Sequence, residues 1–487
     1  MRTLVTSLAV LALVSCSGGS TTAPASQEAA SKRIPITSKS PQAVEQFEKG
    51  RALLENLRMA EASEALKASL TLDPDFALAR AYYGQAIPGP DGLAELERAA
   101  GMSASLPPAE RLTIEALLAN RRGDTSKSTD LWKQVVQAAP DDWRAHFGMG
   151  QRLLNEQKHS EAATAFRKAT ELNPNAGPAY NLLGYAELRE DNIDGAVAAF
   201  QQYAKVLPSE PNPQDSLAEA LLAAGRFNEA DTAFRKAAEL SPQFWNAWEG
   251  VAYTKFFAGD WEAGREALNR AREAASRPID KVNVETLGAW AALAERNTTS
   301  AVKGLQAAET VADAQPSAVA LVPVNRATVL IDAGRYRDAI AEAGTALQRA
   351  DSGQYPPGQT INIRRQALTM RAIAEARLGD AGAVQKTIAV LQQAATGRPD
   401  DPQLQSSVHL AQGMLATAQG DARGARDHFA QCDDSASYCR WQLVLAAEKA
   451  GDKAAADAAR TRLLSQYVRD PMYLYVRSRL QGSGKTP

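Results

Sequence analysis

The sequence predicts an all-α fold, a solenoid of about 12 stacked helical hairpins, regular in its middle and irregular near residues 88–108 and after 279. Three observations carry that expectation. Pro174, Pro208 and Pro242 each lie 34 residues apart, and each is preceded by the same small and aromatic residues. Aromatic residues make up 6% of the chain and hydrophobic residues 45%, alanine being abundant and β-branched runs scarce, which favours helix over sheet. Glycines also recur where paired helices would turn: Gly123, Gly225, Gly259, Gly334, Gly420 and Gly451 share one place in their units. A left-handed residue that ends a helix favours glycine.

The regular copies read Gly150…Ala162…Phe166…Ala169…Pro174, Gly184…Ala196…Phe200…Tyr203…Pro208 and Ala218…Ala230…Phe234…Ala237…Pro242. In the second, Tyr180, Leu183, Gly184 and Leu188 fall on one helix face at spacings of three and four. Gly184 and Ala196 let two helices approach, and Phe200 fills the gap. Its burial is worth about 1.5–3 kcal/mol. Pro208 closes the second helix, because a helix-interior proline costs about 3 kcal/mol. This pattern of small residue, Ala, aromatic, Ala and Pro resembles the tetratricopeptide repeat family. The resemblance implies a right-handed superhelix whose units bury their apolar faces only by stacking.

In chain order, residues 1–15 read as a signal peptide. Arg2 precedes an apolar run, Leu4–Val14, too short to span a bilayer. Leu13-Val14-Ser15-Cys16 resembles the lipobox of bacterial lipoproteins, which implies cleavage before Cys16 and its lipidation. Ser17 in place of Asp implies, by the same resemblance, the outer membrane facing the periplasm. Several acyl chains anchor durably where one does not. Residues 16–40, rich in Ser, Thr, Ala and Gly, read as a flexible tether. An N-terminal array is expected over 41–278, a looser C-terminal array over 279–480 and a tail over 481–487.

The first unit carries Gly50, Ala62, Leu66 and Pro74; the second is interrupted by Pro88-Gly89-Pro90, and its second helix is expected to be short, about 91–100. The third puts Trp132 where Phe is usual. Further helix pairs are expected at about 279–315, 320–350, 360–395, 403–432 and 437–466, with a last helix, 471–480, covering the open end of the stack. Asp124, Asp260, Asp421 and Asp452 follow turn glycines and suit helix N-caps.

Net charge is −2 with the two signs interspersed, so no nucleic-acid-binding surface is expected. No phosphate loop, zinc-protease or serine-hydrolase motif occurs, and the histidines, among them His159 in an expected turn, are scattered. No catalytic residue, metal or cofactor is therefore expected. His428, Cys432 and Cys439 form the one cluster of ligand-like chemistry. A Cys432–Cys439 disulfide, two free thiols and a metal site are the three readings, the first suiting an exported protein.

The resemblance also implies where a partner would sit. In this family the first helix of each unit lines the concave side. Carried over by position, that gives Arg144, Phe147, Gln151 and Asn155; Asn181, Tyr185 and Arg189; Asp215 and Glu219; and Tyr253 and Phe257. Phe256 neighbours the last of these, and core packing is the other reading for both phenylalanines. Such a mixed surface suits an extended peptide or a helix. Asn181 and Arg189 match only part of the family's carboxylate clamp, so a C-terminal carboxylate is not expected there. The expected function is a lipid-anchored scaffold for a protein or peptide. The alternatives are a solute- or glycan-binding lipoprotein similar to the SusD type and an accessory subunit of an envelope assembly or secretion complex.

Overall fold

The structure is a computed structural model that describes residues 32–56, 58–311, 314–433 and 435–482. Among these there are 26 helices and no strand. The expected signal peptide, Cys16 and the tether as far as residue 31 lie outside the described residues.

Twenty-four of the helices pair into twelve antiparallel hairpins that stack in chain order. The register is the one read from the sequence. Phe166, Phe200 and Phe234 are fully buried, and a Cβ added to Gly184 would come within 2.5 Å of Phe200. Gly150 stands in the same relation to Phe166, at 2.6 Å. The small residue is thus the seat of the aromatic ring.

All six turn glycines adopt positive φ, 72–87°, and so does Gly379 at the turn between Pro357–Leu378 and Ala381–Thr396. Where glycine is absent, Gln157, Asp191 and Arg296 take the same left-handed conformation. Asp124, Asp260, Asp421 and Asp452 accept hydrogen bonds from the main chain three residues on, capping the helices that follow.

The looser half follows the same plan. Pro278–Ala294 pairs with Thr298–Glu309, Val322–Asp332 with Tyr336–Asp351, Pro402–Ala418 with Ala422–Phe429, and Ser437–Ala450 with Lys453–Ser465. The helix expected to be short after the interruption at Pro88 runs as Gly89–Gly101. Pro90 sits in its first turn, where a missing N–H costs nothing.

Two terminal segments depart from expectation. Residues 32–40 are docked along the edge of the first units and do not belong to a free tether. The Lys32 and Ile34 amides donate to Asp141 and Asp142, and Thr37 donates to Glu110 through both its amide and its hydroxyl. The Ser38 hydroxyl and Lys39 amide donate to Asp73. Ile34 and Ile36 pack onto the cores beneath.

Pro471–Gly482 does not cover the end of the stack. It folds back into the hollow of the solenoid against Pro278–Ala294, Ser437–Ala450 and Lys453–Ser465. Tyr473, Leu474, Tyr475 and Val476 are buried there. A helix with apolar residues around its circumference finds burial inside a superhelix that a terminal position, open on one side, does not offer.

Candidate functional site

The concave face is lined by the first helix of each hairpin, and its chemistry divides into three stretches. The first, on Trp143–Asn155 and Gly177–Arg189, is open. Gln151, Asn155 and Arg189 are exposed, and no side-chain partner holds them among the described residues. Arg144 is half-buried, bonded to Glu55 at 2.7 Å and lying over the Trp143 ring. Burial works against its charge, yet Glu55 raises its pKa above the ordinary value.

The second stretch is filled by the chain itself. Arg469, between the last hairpin and Pro471–Gly482, enters the face that Asp215 and Glu219 were expected to offer a partner. Its guanidinium lies 2.9 Å from Glu249 and 3.5 Å from Asp215, and donates to the Asn246 carbonyl at 3.0 Å. It also covers the Phe234 ring. Tyr467 packs on Phe227 and Phe257, with ring centroids 4.9 and 5.7 Å apart, and Arg477 stacks on Tyr467.

Around Arg469 the network continues. The Tyr185 hydroxyl lies 3.3 Å from Glu219 and 3.2 Å from Ser216, which donates to Asn181. Burial pushes Asp215 and Glu219 above the ordinary carboxylate range, Arg469 opposing it in both. Burial alone would lower the Arg469 pKa, but Asp215, Glu249 and Glu219 raise it. One cation serves three carboxylates.

Several expected docking residues are therefore withdrawn from solvent. Phe147 is buried against Trp143 and Phe166 and belongs to the core. Tyr253 is 2% exposed and stacks with Phe257, which Arg477 and Tyr467 cover. Asn181 and Asp215 are buried in the network just described.

Glu249 escaped sequence reasoning although it occupies, in the helix Trp245–Phe257, the place that Asp215 holds in Pro211–Ala223. The register alone could have found it. Tyr467 and Arg469 carried no such signal, lying in a loop beyond the last hairpin.

The third stretch is a hollow of about 390 Å³ in the C-terminal array. Its walls come from Pro278–Ala294, Val322–Asp332, Pro357–Leu378 and Pro402–Ala418, with the loop after Phe429 and the head of Pro471–Gly482 as rim. Cys432 and Cys439 are joined in a disulfide that spans this loop, so neither is a free thiol or a thiolate ligand. The Asp433 amide donates to the Ser406 hydroxyl at 2.7 Å, pinning the loop to the wall. No group of three potential metal ligands occurs among the described residues, and no described helix is long and apolar enough to cross a membrane.

A tetratricopeptide repeat model matches residues 115–176, 147–215 and 216–278. Among solved structures, MamA from Desulfovibrio magneticus is 19% identical, with 35% of this chain and 97% of that one aligned at a TM-score of 0.33. YrrB, described as a repeat protein with an unusual peptide-binding site, is 15% identical over 39% of this chain and 97% of its own, at 0.33. A tetratricopeptide repeat protein from Parabacteroides merdae is 14% identical over 59% and 99%, at 0.34. No curated protein sequence matches the chain.

Proposed function

We propose that this chain, an all-α solenoid whose residues 115–278 are tetratricopeptide repeats, is a lipid-anchored, non-catalytic scaffold of the bacterial envelope. It holds a protein partner on the open stretch of its concave face. The observation that carries this is the contrast along that face. From Asp215 to Phe257 the face is occupied by the chain's own residues 467–477, whereas Gln151, Asn155 and Arg189 are exposed to solvent. Polar side chains held on rigid helices and hydrated rather than engaged within the chain are available to exchange water for the groups of an incoming peptide.

The anchor rests on Leu13-Val14-Ser15-Cys16 and on a short docked segment downstream of it. Residues 32–40 leave the stack beside Asp141, so an anchor at Cys16 would tether the molecule near its third and fourth hairpins, alongside the open stretch. A photo-crosslinking residue at Gln151, Asn155 or Arg189 should capture one discrete envelope protein, and the same residue at Lys236 on the outer helices should not. Equal capture at both places would refute the concave site. Cys16→Ser should abolish labelling by a fatty-acid analogue and release the protein from membranes; continued labelling would refute the anchor.

A further inference from the structure

The hollow of the C-terminal array holds a half-buried cation, Arg365, with few partners. Elsewhere on the inner surface the buried or half-buried arginines find carboxylates or, like Arg477, a set of main-chain carbonyls, those of Leu463, Leu464 and Gln466. Arg144 has Glu55, Arg326 has Glu309 and Glu342, Arg469 has Asp215 and Glu249, and Arg479 has Asp332. Arg365 has none within ion-pair distance among the described residues. Its guanidinium bonds only to Asn362 on its own helix, at 2.8 Å, and loosely to the Ser407 hydroxyl, at 3.4 Å. Burial lowers its pKa from the ordinary value, and the one charge opposing this is Asp401. An incompletely paired, desolvated cation is costly, and an anion that enters recovers that cost.

The surroundings narrow the anion. Asp433 and Asp470 stand on the rim and are engaged locally, Asp433 accepting from Ser435 and Asp470 from the Met472 amide. They repel a ligand of higher negative charge. The Thr328 and Thr369 hydroxyls donate to helix carbonyls of their own turn, which leaves their oxygens as acceptors for a ligand's O–H or N–H. Trp290 and Leu410 add apolar wall. The volume falls within the roughly 300–1,000 Å³ of small-molecule sites.

We propose that this hollow binds a small organic monocarboxylate bearing hydroxyl or amide groups, its acid group held by Arg365 and its carbon skeleton by Trp290 and Leu410. The site is independent of the protein-docking stretch, from which it differs in hairpins and in chemistry.

Calorimetric titration of the whole protein with hippurate, gluconate, glucose and inorganic phosphate tests it. At least one of the two carboxylates should bind, and Arg365→Gln should weaken it about tenfold or more, as loss of a charged hydrogen bond implies. Arg365→Lys, which keeps the charge, should weaken it less. The melting temperature of Arg365→Gln should equal or exceed that of the parent, since a poorly paired cation is removed. Should that variant not fold, Arg365→Lys together with Ser407→Ala provides the measurement, each expected to weaken binding of the same carboxylate. Four results overturn the proposal: no carboxylate binding, binding that survives every Arg365 variant, glucose binding as tightly as the carboxylates, or phosphate binding more tightly than either.

Discussion

Two stretches of the same inner surface, built from equivalent helices, have opposite electrostatic balances. Around Asp215 three carboxylates share Arg469, a residue delivered from 254 positions away. Around Arg365 a single cation has no carboxylate within ion-pair distance among the described residues, Asp401 acting on it only from farther off. The first stretch has its ligand built in. The difference teaches that a concave face in a repeat array is not by itself a docking surface. What counts is whether the rest of the chain has already satisfied it.

The sharpest way to break the comparison is Arg469→Ala. It strands Asp215 and Glu249, whose side chains are 10% and 18% exposed, without their cation. Removing one partner of such a buried pair costs about 3–5 kcal/mol. Urea unfolding should show a loss of that order. Limited proteolysis should cut near residues 466–470 before the body of the array. A loss below about 1 kcal/mol, the value of an exposed pair, would mean that the C-terminal segment is not held by its charge.

The Cys432→Ser, Cys439→Ser double variant probes the other stretch. Its bridge closes a sequence separation of 7, for which the chain-entropy account gives about 2.5 kcal/mol. The loss should appear in denaturant titration as a drop close to that obtained by reducing the parent protein. Because the bridge secures the loop that rims the hollow, carboxylate binding there should weaken in the same variant. Unchanged stability would place the loop's order in the bond from Asp433 to Ser406 instead.

These contrasts mark how far the sequence could be read. The hairpins were legible because one Phe per unit needs one small residue opposite it and one proline after it, and that requirement repeats. Gly184 with Phe200 is the pattern, and the turn glycines follow it into the looser half. The concave residues were legible as positions, not as surfaces. Asp215 and Phe257 do face inward, but whether they meet solvent depends on Tyr467 and Arg469, which obey no period. The segment 32–40 was misread for a related reason. Its backbone amides are the groups that bond Asp141, Asp142 and Glu110, and backbone amides leave no compositional trace.

A smaller effect sharpens the charge count. Glu219 is the third carboxylate, served by a long bond from Tyr185 and, from farther off, by Arg469 and Arg189. Glu219→Gln keeps the shape and removes a desolvated charge. It should change stability by less than about 1 kcal/mol, in the stabilising direction, since charges buried without adequate pairing favour the unfolded state. A loss of several kcal/mol would mean that Glu219 pairs with Arg469 as strongly as Glu249 does.

The last and smallest effect is in pH, and its sign separates the filled groove from ordinary ion pairs. Asp215 and Glu219 have folded pKa values above their unfolded ones, because burial outweighs Arg469. Between the ordinary carboxylate range and those raised values the native protein binds more protons than the unfolded chain, so this pair's contribution to stability falls as pH rises through the window. Glu309 behaves in the opposite way. Burial would raise it, but Arg326 and Arg349 hold it below its ordinary value, so its contribution is present above that value and is lost as pH falls. Total stability mixes the two, and the informative quantity is the difference between Glu219→Gln and its parent. That difference should be smallest near pH 4 and should grow in favour of the variant as pH rises through the raised pKa of Glu219. Chemical denaturation at a series of pH values measures it. A difference that shrank with rising pH would show that Glu219 is stabilised in its charged form, and the surplus of carboxylate over guanidinium in that stretch would then be only apparent.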